Sequence, residues 1–111
     1  MKINQRDIIL LPYPFSNLEG KKVRPALVVS NNLFNNGSKD CVVVPLTSVI
    51  QDEEYSIIIN QHDMEFGKLI KTSRIKTDKI FHIEKRLAIF KIGAIKENIF
   101  SKVRAEVISI L

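Results

Sequence analysis

Short apolar runs separated by turn-forming residues make up most of the chain. They are rich in Val, Ile, Leu and aromatic residues, which favour β-strands. Strands are therefore predicted at residues 7–13, 23–30, 41–46, 55–60, 68–76 and 87–92. The stretches "SNLEGKK", "NNLFNNGSKD" and "QDEE" carry Asn, Gly and acidic residues and are predicted as turns or loops. Several runs are apolar on both faces, which is typical of a small closed or strongly curled sheet.

The last part of the chain changes to a helical period. Apolar residues fall on one stripe there, at Ile99, Phe100, Val103, Val107 and Ile110. This stripe predicts a helix of about three to four turns, and because Lys96 is a poor N-cap residue, Asn98 is the better candidate for its start. Strands followed by one terminal helix indicate a mainly β (α+β) fold, a small β-barrel with a C-terminal helix. Ile108 and Leu111 extend the apolar face, which suggests that the helix also meets a partner subunit.

The chain of 111 residues has the size and composition of one domain, spanning 1–111. Hydrophobic residues make up 45% and charged residues 26%, which places the chain among soluble globular proteins. The early apolar run 8–11 is stopped by Pro12 and Pro14 and is much too short to span a membrane. We therefore expect a cytoplasmic protein with no membrane partner.

The chain is basic, with 17 Lys and Arg against 12 Asp and Glu and a net charge of +5. One basic cluster comprises Lys21, Lys22 and Arg24, and a second comprises Lys68, Lys71, Arg74, Lys76 and Lys79. A surplus of positive charge favours a polyanionic partner such as nucleic acid. Each cluster is also explained by an ordinary solvated surface, so charge alone leaves both interpretations open.

Several common kinds of active site have no counterpart in the sequence. Cys41 is the single cysteine, which excludes an internal disulfide, and its valine neighbours indicate a small core residue. His62 and His82 stand far apart in polar contexts and are interpreted as surface imidazoles. The acidic residues 52–54 are more typical of a soluble loop than of a magnesium site. No glycine-rich phosphate loop or nucleophile elbow occurs, so an enzyme of this sequence is expected to use no metal, no cofactor and no histidine.

Two polar residues at strand ends suit a reaction that needs no metal. RNA carries its own nucleophile, the 2′-hydroxyl, so its cleavage requires mainly held geometry and charge stabilisation at the phosphate. Arg24 precedes Pro25 at the start of an apolar strand and offers planar, bidentate donors to phosphate oxygens. Thr47 follows Pro45 at the end of another apolar strand and offers a hydroxyl. Taken singly, Arg24 is also an ordinary surface arginine and Thr47 an ordinary strand-end residue, and both interpretations stay open.

At these residues the sequence resembles a known family. The stretches "RDIILLPYPF", "RPALVVSNN", "VVVPLTS" and "SRIKTDKIFHIEKRLAIFKIGAI" resemble the MazF/PemK toxins of type II toxin–antitoxin systems, and the likeness spans residues 7–111. It implies a curled SH3-like barrel with a C-terminal helix, usually a homodimer. It also implies a metal-independent, sequence-selective endoribonuclease that cleaves single-stranded RNA such as mRNA and is inhibited by a cognate antitoxin.

The resemblance also implies roles for individual residues. Arg24 and Thr47 match the family's catalytic arginine and threonine. Arg24 is expected to stabilise the phosphorane and is also a candidate for proton transfer, and Thr47 is expected to orient the phosphate or the attacking hydroxyl. Residues 73–76 match a strand that lines the RNA groove. Many members have an Asp–Gln pair before the isoleucine, whereas Thr72, Ser73 and Arg74 stand in that region here, so the family's base preference does not transfer to this chain. The expected RNA-binding residues are Phe15, Lys21, Lys22, Ser48, Ser73, Arg74 and Lys76.

One position departs from the family's pattern, and the role of another stays open. The family's usual glycine before the first-strand aspartate is Arg6 here. Phe15, between the first two strands, offers a ring that can stack on a base, and it suits a place in the core equally well.

The leading hypothesis is an mRNA-cleaving toxin that works as a homodimer, and two others are kept. A non-catalytic module that binds RNA or an antitoxin would carry the same charges and give no product. A DNA gyrase poison of similar fold is disfavoured, because that family's functional tryptophan near the C-terminus has no counterpart in a chain without Trp. The antitoxin expected here is an acidic disordered segment that orders on binding a basic groove.

Overall fold

A computed structural model of the protein describes residues 1–13 and 22–111. Within these residues the strands are β1 (Asp7–Tyr13), β2 (Lys22–Val28), β3 (Asp40–Thr47), β4 (Ser56–Ile59), β5 (Met64–Gly67), β6 (Ser73–Lys76), β7 (Phe81–Glu84) and β8 (Phe90–Ile95). The helices are α1 (Asn32–Gly37) and α2 (Glu97–Ser109), and single helical turns lie at Gln61–Asp63 and Lys85–Leu87. In this part of the chain, no helix is both long and apolar enough to cross a membrane.

The strands form one curled antiparallel sheet in the order β4-β6-β3-β2-β1-β8-β5, with β7 paired to β3. The long strand β3 changes partners along its length. Its first half pairs with β7, its middle with β2, and its last residues, Leu46 and Thr47, with β6. The result is a mostly antiparallel half-barrel with a C-terminal helix, which confirms the predicted fold class.

Both faces of the sheet pack against a core cluster. Neighbouring residues of a strand point to opposite faces, so they belong to different clusters. Ile8 belongs to one core cluster and Ile9 to the other, and Leu27 and Val28 divide in the same way. All four side chains are fully buried. The two-sided burial explains the runs that are apolar on both faces.

The terminal helix α2 packs on one of these two clusters. Its buried residues are Phe100 and Val103, and Ile99 and Val107 pack partly buried against the same cluster, so the predicted apolar stripe is confirmed over these four residues. The last residue of the stripe, Ile110, lies beyond the helix and is exposed. The helix begins at Glu97, with Lys96 in the N-cap position and making no side-chain cap bond, so the expected N-cap at Asn98 is wrong. Packing of the apolar stripe, rather than capping, therefore stabilises the helix, as is usual in proteins.

The short helix α1 lies where the Asn-rich stretch predicted a turn. Asn31 is its N-cap, and the Asn31 Oδ1 accepts a hydrogen bond from the Phe34 N–H at 2.9 Å. Asn35 is buried, and its side-chain amide donates to the Ser30 carbonyl and accepts from the Ser30 hydroxyl. The turn prediction is wrong here because Asn serves helix caps as readily as it serves turns.

The strand predictions are more accurate in the first half of the chain than in the second. The strand predicted at 7–13 matches β1 at both ends, and the next three overlap β2, β3 and β4. The strand predicted at 68–76 is correct only at its end, in β6, while β5 and β7 are not predicted at all. The strand predicted at 87–92 lies later, in β8.

Arg6, in the turn before β1, has a left-handed backbone conformation with φ of 81°. Glycine adopts this conformation at little cost, and residues with a side chain rarely do. Two contacts of the side chain hold it: Nη1 donates to the Ile95 carbonyl at 3.1 Å, and Nε lies 3.4 Å from Glu97 Oε2. Arg6 therefore has a backbone conformation that glycine adopts easily, at the position where the MazF/PemK toxins, which the sequence resembles, usually have glycine.

Cys41 is fully buried in β3, as its valine neighbours predicted. Burial raises the pKa of its thiol to about 11; nearby Lys85 lowers the pKa and Asp40 raises it. Because the thiolate is the reactive form, we expect native Cys41 to react with a chromogenic disulfide reagent far more slowly than it does in denaturant. Equal rates in the two conditions, followed by absorbance, would contradict this placement of the thiol.

Candidate functional site

A groove of about 520 Å³ opens where β2 begins and β3 ends. Both residues of the expected catalytic pair, Arg24 and Thr47, line this groove. The other lining residues are Leu10, Tyr13, Pro25, Pro45, Leu46, Ser48, Val49, Leu69, Ile70, Lys71, Ser73, Lys76 and Ile92. The groove thus combines an apolar wall with hydroxyl groups and three cationic side chains.

The strand pairing explains why Arg24 and Thr47 come to the same place. β2 and β3 are antiparallel, with Ala26 opposite Pro45. The same register extended by two residues sets Arg24 opposite Thr47, and residues opposite each other in an antiparallel pair project from the same face. The pairing stops at Ala26, next to Pro25, whose nitrogen carries no hydrogen to donate. The two side chains therefore stand where the strands separate.

Arg24 is exposed, and its guanidinium carbon lies 5.9 Å from the centroid of the Tyr13 ring on β1. A cation in this position gains about 0.5–1 kcal/mol at an exposed site. Across the β1–β2 pair the residue opposite Arg24 is Leu11, which is fully buried and anchors the backbone. A fixed backbone with an exposed side chain presents the guanidinium donors to a ligand in the groove.

Thr47 is half-buried, and its hydroxyl oxygen accepts a hydrogen bond from the Val49 N–H at 3.1 Å. A threonine hydroxyl has one hydrogen to donate and two acceptor positions. The bond from Val49 therefore fixes the oxygen, while the hydroxyl hydrogen remains able to donate to a phosphate oxygen.

Three of the expected RNA-binding residues, Ser48, Ser73 and Lys76, also line the groove. The Ser73 side chain is buried, and its hydroxyl donates to the Lys71 carbonyl at 3.0 Å. Lys71 and Tyr13 line the groove too, although the sequence did not single them out as site residues. The position of Lys71 in the second basic cluster was a sequence signal that this residue could contact RNA. Tyr13 carries no sequence signal that separates a groove residue from a core residue.

The remaining expected RNA-binding residues lie away from the groove or outside the described residues. Lys22 begins β2, is exposed, and is not among the residues that line the groove. Phe15 and Lys21 fall in 14–21, outside the residues that the structure describes. A role of these three residues in RNA binding stays a prediction.

Arg74 on β6 is only 3% exposed and does not belong to the groove lining. Its Nη1 lies 2.5 Å from Glu53 Oε2, as an ion pair without hydrogen-bond geometry, and its Nε donates to the Val49 carbonyl at 3.3 Å. The pKa of the Glu53 carboxyl is lowered chiefly by a hydrogen bond from the Gln51 side chain and, to a smaller extent, by the charge of Arg74. The guanidinium is thus directed at the loop between β3 and β4, which argues against the expected direct contact of Arg74 with RNA.

The two histidines are exposed, as predicted, and neither lines the groove. The His82 Nε2 lies 3.1 Å from Asp40 Oδ2 on the neighbouring strand. Across residues 1–13 and 22–111, no three His, Cys, Asp or Glu side chains are grouped so that they could hold a metal ion.

The sequence matches one protein family over almost its whole length. Residues 4–111 match the family described as PemK-like, MazF-like toxin of type II toxin-antitoxin system. No curated protein gives a significant sequence match. The matched family agrees with the resemblance carried by the motifs around Arg24 and Thr47.

Several solved structures share the fold. An endoribonuclease from a mycobacterial species, in complex with its cognate antitoxin, has a TM-score of 0.79 at 19% identity, over 96% of this chain and 92% of that chain. A chain of the MazE–MazF complex from Deinococcus radiodurans has a TM-score of 0.80 at 18% identity, over 99% and 96%. Mycobacterium tuberculosis toxin MazF-mt6 has a TM-score of 0.73 at 17% identity, over 94% and 93%. At these identities the similarity is one of fold.

Proposed function

Since the chain belongs to the family of PemK-like, MazF-like toxins of type II toxin–antitoxin systems, we propose that it is an endoribonuclease that cleaves single-stranded RNA, with mRNA as its cellular substrate. The observation that carries this proposal is that Arg24 and Thr47 line one groove at the ends of neighbouring strands. The proposed reaction requires no metal ion, because the RNA supplies its own nucleophile.

The proposed reaction begins at the ribose 2′-hydroxyl next to the scissile phosphate. Its oxygen gives its proton to solvent water and attacks the phosphorus. The bond between the phosphorus and the 5′-oxygen then breaks, and the leaving oxygen takes a proton from water. The products are a 2′,3′-cyclic phosphate on one fragment and a 5′-hydroxyl on the other.

Arg24 stabilises the transition state of this reaction. Its planar guanidinium donates two parallel hydrogen bonds to phosphate oxygens and brings a positive charge to the place where negative charge increases. Thr47 orients the phosphate or the attacking hydroxyl by donating its hydroxyl hydrogen, since its oxygen is held by the Val49 N–H.

The rest of the groove suits a single RNA strand. Lys71 and Lys76 add positive charge near the reacting phosphate, and Ser48 and Ser73 supply hydroxyl groups. Tyr13 is 48% exposed, and its ring offers a surface on which a base can stack. Contacts between cationic side chains and phosphates make RNA binding weaker as the salt concentration rises.

A second copy of the chain and an antitoxin are the proposed protein partners. Ile108, Ile110 and Leu111, at the end of α2, are exposed, and covering these apolar side chains favours a homodimer. The antitoxin complexes of the mycobacterial and Deinococcus radiodurans proteins support a protein inhibitor. An acidic antitoxin segment is attracted to the cationic groove and blocks it. The proposed place of action is the cytoplasm.

Incubation of the purified protein with single-stranded RNAs of varied sequence tests this function. We expect cleavage at defined sites in the presence of EDTA, because the reaction needs no metal ion. Single-stranded DNA of the same sequences is the matched control and should stay intact, since it lacks the 2′-hydroxyl. RNA that is bound in a salt-sensitive manner but never cut would contradict the proposal and favour a non-catalytic binding module.

A further inference from the structure

A buried arginine contacts the loop that follows Thr47. This loop, residues 48–55, connects β3 to β4 and is called the β3–β4 loop below. Arg74 lies on β6, opposite Thr47 of β3 and Ile58 of β4. A buried cation is unfavourable unless its charge and its N–H groups are paired. The contacts that pair Arg74 are therefore expected to be important for the local structure.

The Arg74 guanidinium contacts both ends of the β3–β4 loop. Near the start of the loop, Nε donates to the Val49 carbonyl at 3.3 Å. Near its end, Nη1 lies 2.5 Å from the Glu53 carboxylate, which Gln51 also bonds at 3.2 Å. The Glu53 carbonyl accepts a further bond from the Ser56 hydroxyl at 2.8 Å. One buried side chain thus ties the two ends of the loop together.

Val49 connects this arginine to the candidate catalytic threonine. The Val49 carbonyl accepts from Arg74, and the Val49 N–H donates to Thr47 Oγ1 at 3.1 Å. Val49 and its neighbour Ser48 also line the groove. A shift at the start of the loop therefore moves the donor that fixes the Thr47 oxygen.

We propose that Arg74 is a positioning residue that holds the β3–β4 loop through Val49 and Glu53 and so keeps the Thr47 hydroxyl oriented in the groove. The consequence for RNA cleavage rests on the proposed function, whereas the consequence for the loop does not. A residue of this kind affects turnover more than RNA binding, because it acts on the position of a reacting group.

Glu53 is the half of this contact that can be changed with the least risk to the fold. Its side chain is 41% exposed, so Glu53→Gln leaves the core untouched. The Arg74 Nη1 is buried and forms no hydrogen bond among the described residues, so the charge of Glu53 is what holds it. Removing that charge leaves a buried cation without its partner, which should loosen the loop.

The first test measures RNA cleavage by Arg74→Met and Glu53→Gln. We expect kcat to fall by about tenfold to about 10²-fold, as for a reacting group displaced by about 1 Å, with KM nearly unchanged. In a Thr47→Val background, Arg74→Met should lower kcat little further, because the arginine acts through the threonine. A loss that appears only in KM, or full additivity with Thr47→Val, would overturn the proposal.

Arg86→Met is the matched control for this test. Arg86 forms an ion pair with Glu84 at 2.5 Å, as Arg74 does with Glu53, but its side chain is 63% exposed and does not line the groove. The Arg86→Met variant should have the wild-type values of both kcat and KM. A fall in kcat equal to that of Arg74→Met would show that the effect is not specific to the β3–β4 loop.

The second test uses hydrogen exchange of the Val49 amide, measured by NMR, and needs no RNA. Arg74→Met and Glu53→Gln should speed exchange at Val49, because its bond to Thr47 opens more often, while the amides of β1 stay protected. If Arg74→Met does not fold, the exchange rate of Val49 in Glu53→Gln is sufficient for this test. Unchanged Val49 exchange would overturn the proposal, whatever the effect on cleavage. Faster exchange in a protein that cuts no RNA would support the positioning role and reject only the proposed function.

Discussion

Arg24→Ala is expected to lower the rate of RNA cleavage by about 10²–10³-fold, the usual effect of removing one preorganised donor from a developing oxyanion. The fold should be unaffected, because the Arg24 side chain is exposed and β2 is anchored by the buried residues Ala26, Leu27 and Val28. The contact with the Tyr13 ring at 5.9 Å is worth at most about 1 kcal/mol at an exposed site. Initial rates with labelled RNA measure the effect, and circular dichroism checks the fold.

Two further variants separate the charge of Arg24 from its shape. Arg24→Lys keeps the charge but cannot donate two parallel bonds, so its rate should lie between those of Arg24→Ala and the wild type. Arg86→Ala removes an exposed arginine outside the groove and should cut RNA at the wild-type rate. A folded Arg24→Ala protein that keeps most of its activity would remove Arg24 from the catalytic site.

Phe100→Ala is expected to lower the free energy of unfolding by about 3–5 kcal/mol, the typical cost of truncating a buried phenylalanine. The Phe100 ring is 1% exposed and packs with Val103 against the strands that α2 covers. A small domain is stable by only about 5–15 kcal/mol in total, so this one change removes a large share of its stability. Chemical denaturation followed by circular dichroism measures the loss.

Lys102→Ala is the matched control on the same helix. Lys102 is exposed, and substitutions at such surface positions usually change stability by less than about 0.5 kcal/mol. A loss in Phe100→Ala no larger than in Lys102→Ala would mean that α2 does not pack on the sheet through its apolar stripe.

The sequence was a good guide wherever a periodic apolar pattern extends over a whole element. The strand at 7–13 and the stripe of α2 follow directly from such patterns, because alternation and helical spacing each match only one kind of element. Short elements such as α1 and β7 were not predicted from the sequence. Their few residues carry no full period, and the Asn residues around α1 favour turns and caps alike.

The candidate site was only partly predictable, for a different reason. Two polar residues beside prolines at strand ends drew attention to Arg24 and Thr47, but their common location depends on the pairing of β2 with β3. Such pairing is a property of the folded sheet and is not visible in either strand alone. The burial of Arg74 was missed for the same reason: the sequence shows a cation in a basic cluster, and only the fold shows that it lies against Glu53 in the β3–β4 loop.

The chemical ends of the cleaved RNA test the central claim most directly. Mass spectrometry of the two fragments distinguishes attack by the 2′-hydroxyl from attack by water. We predict a 2′,3′-cyclic phosphate on the upstream fragment and a 5′-hydroxyl on the downstream fragment, both formed in EDTA. A 3′-hydroxyl paired with a 5′-phosphate would contradict the mechanism, because those ends arise when water attacks the phosphorus and the 3′-oxygen leaves.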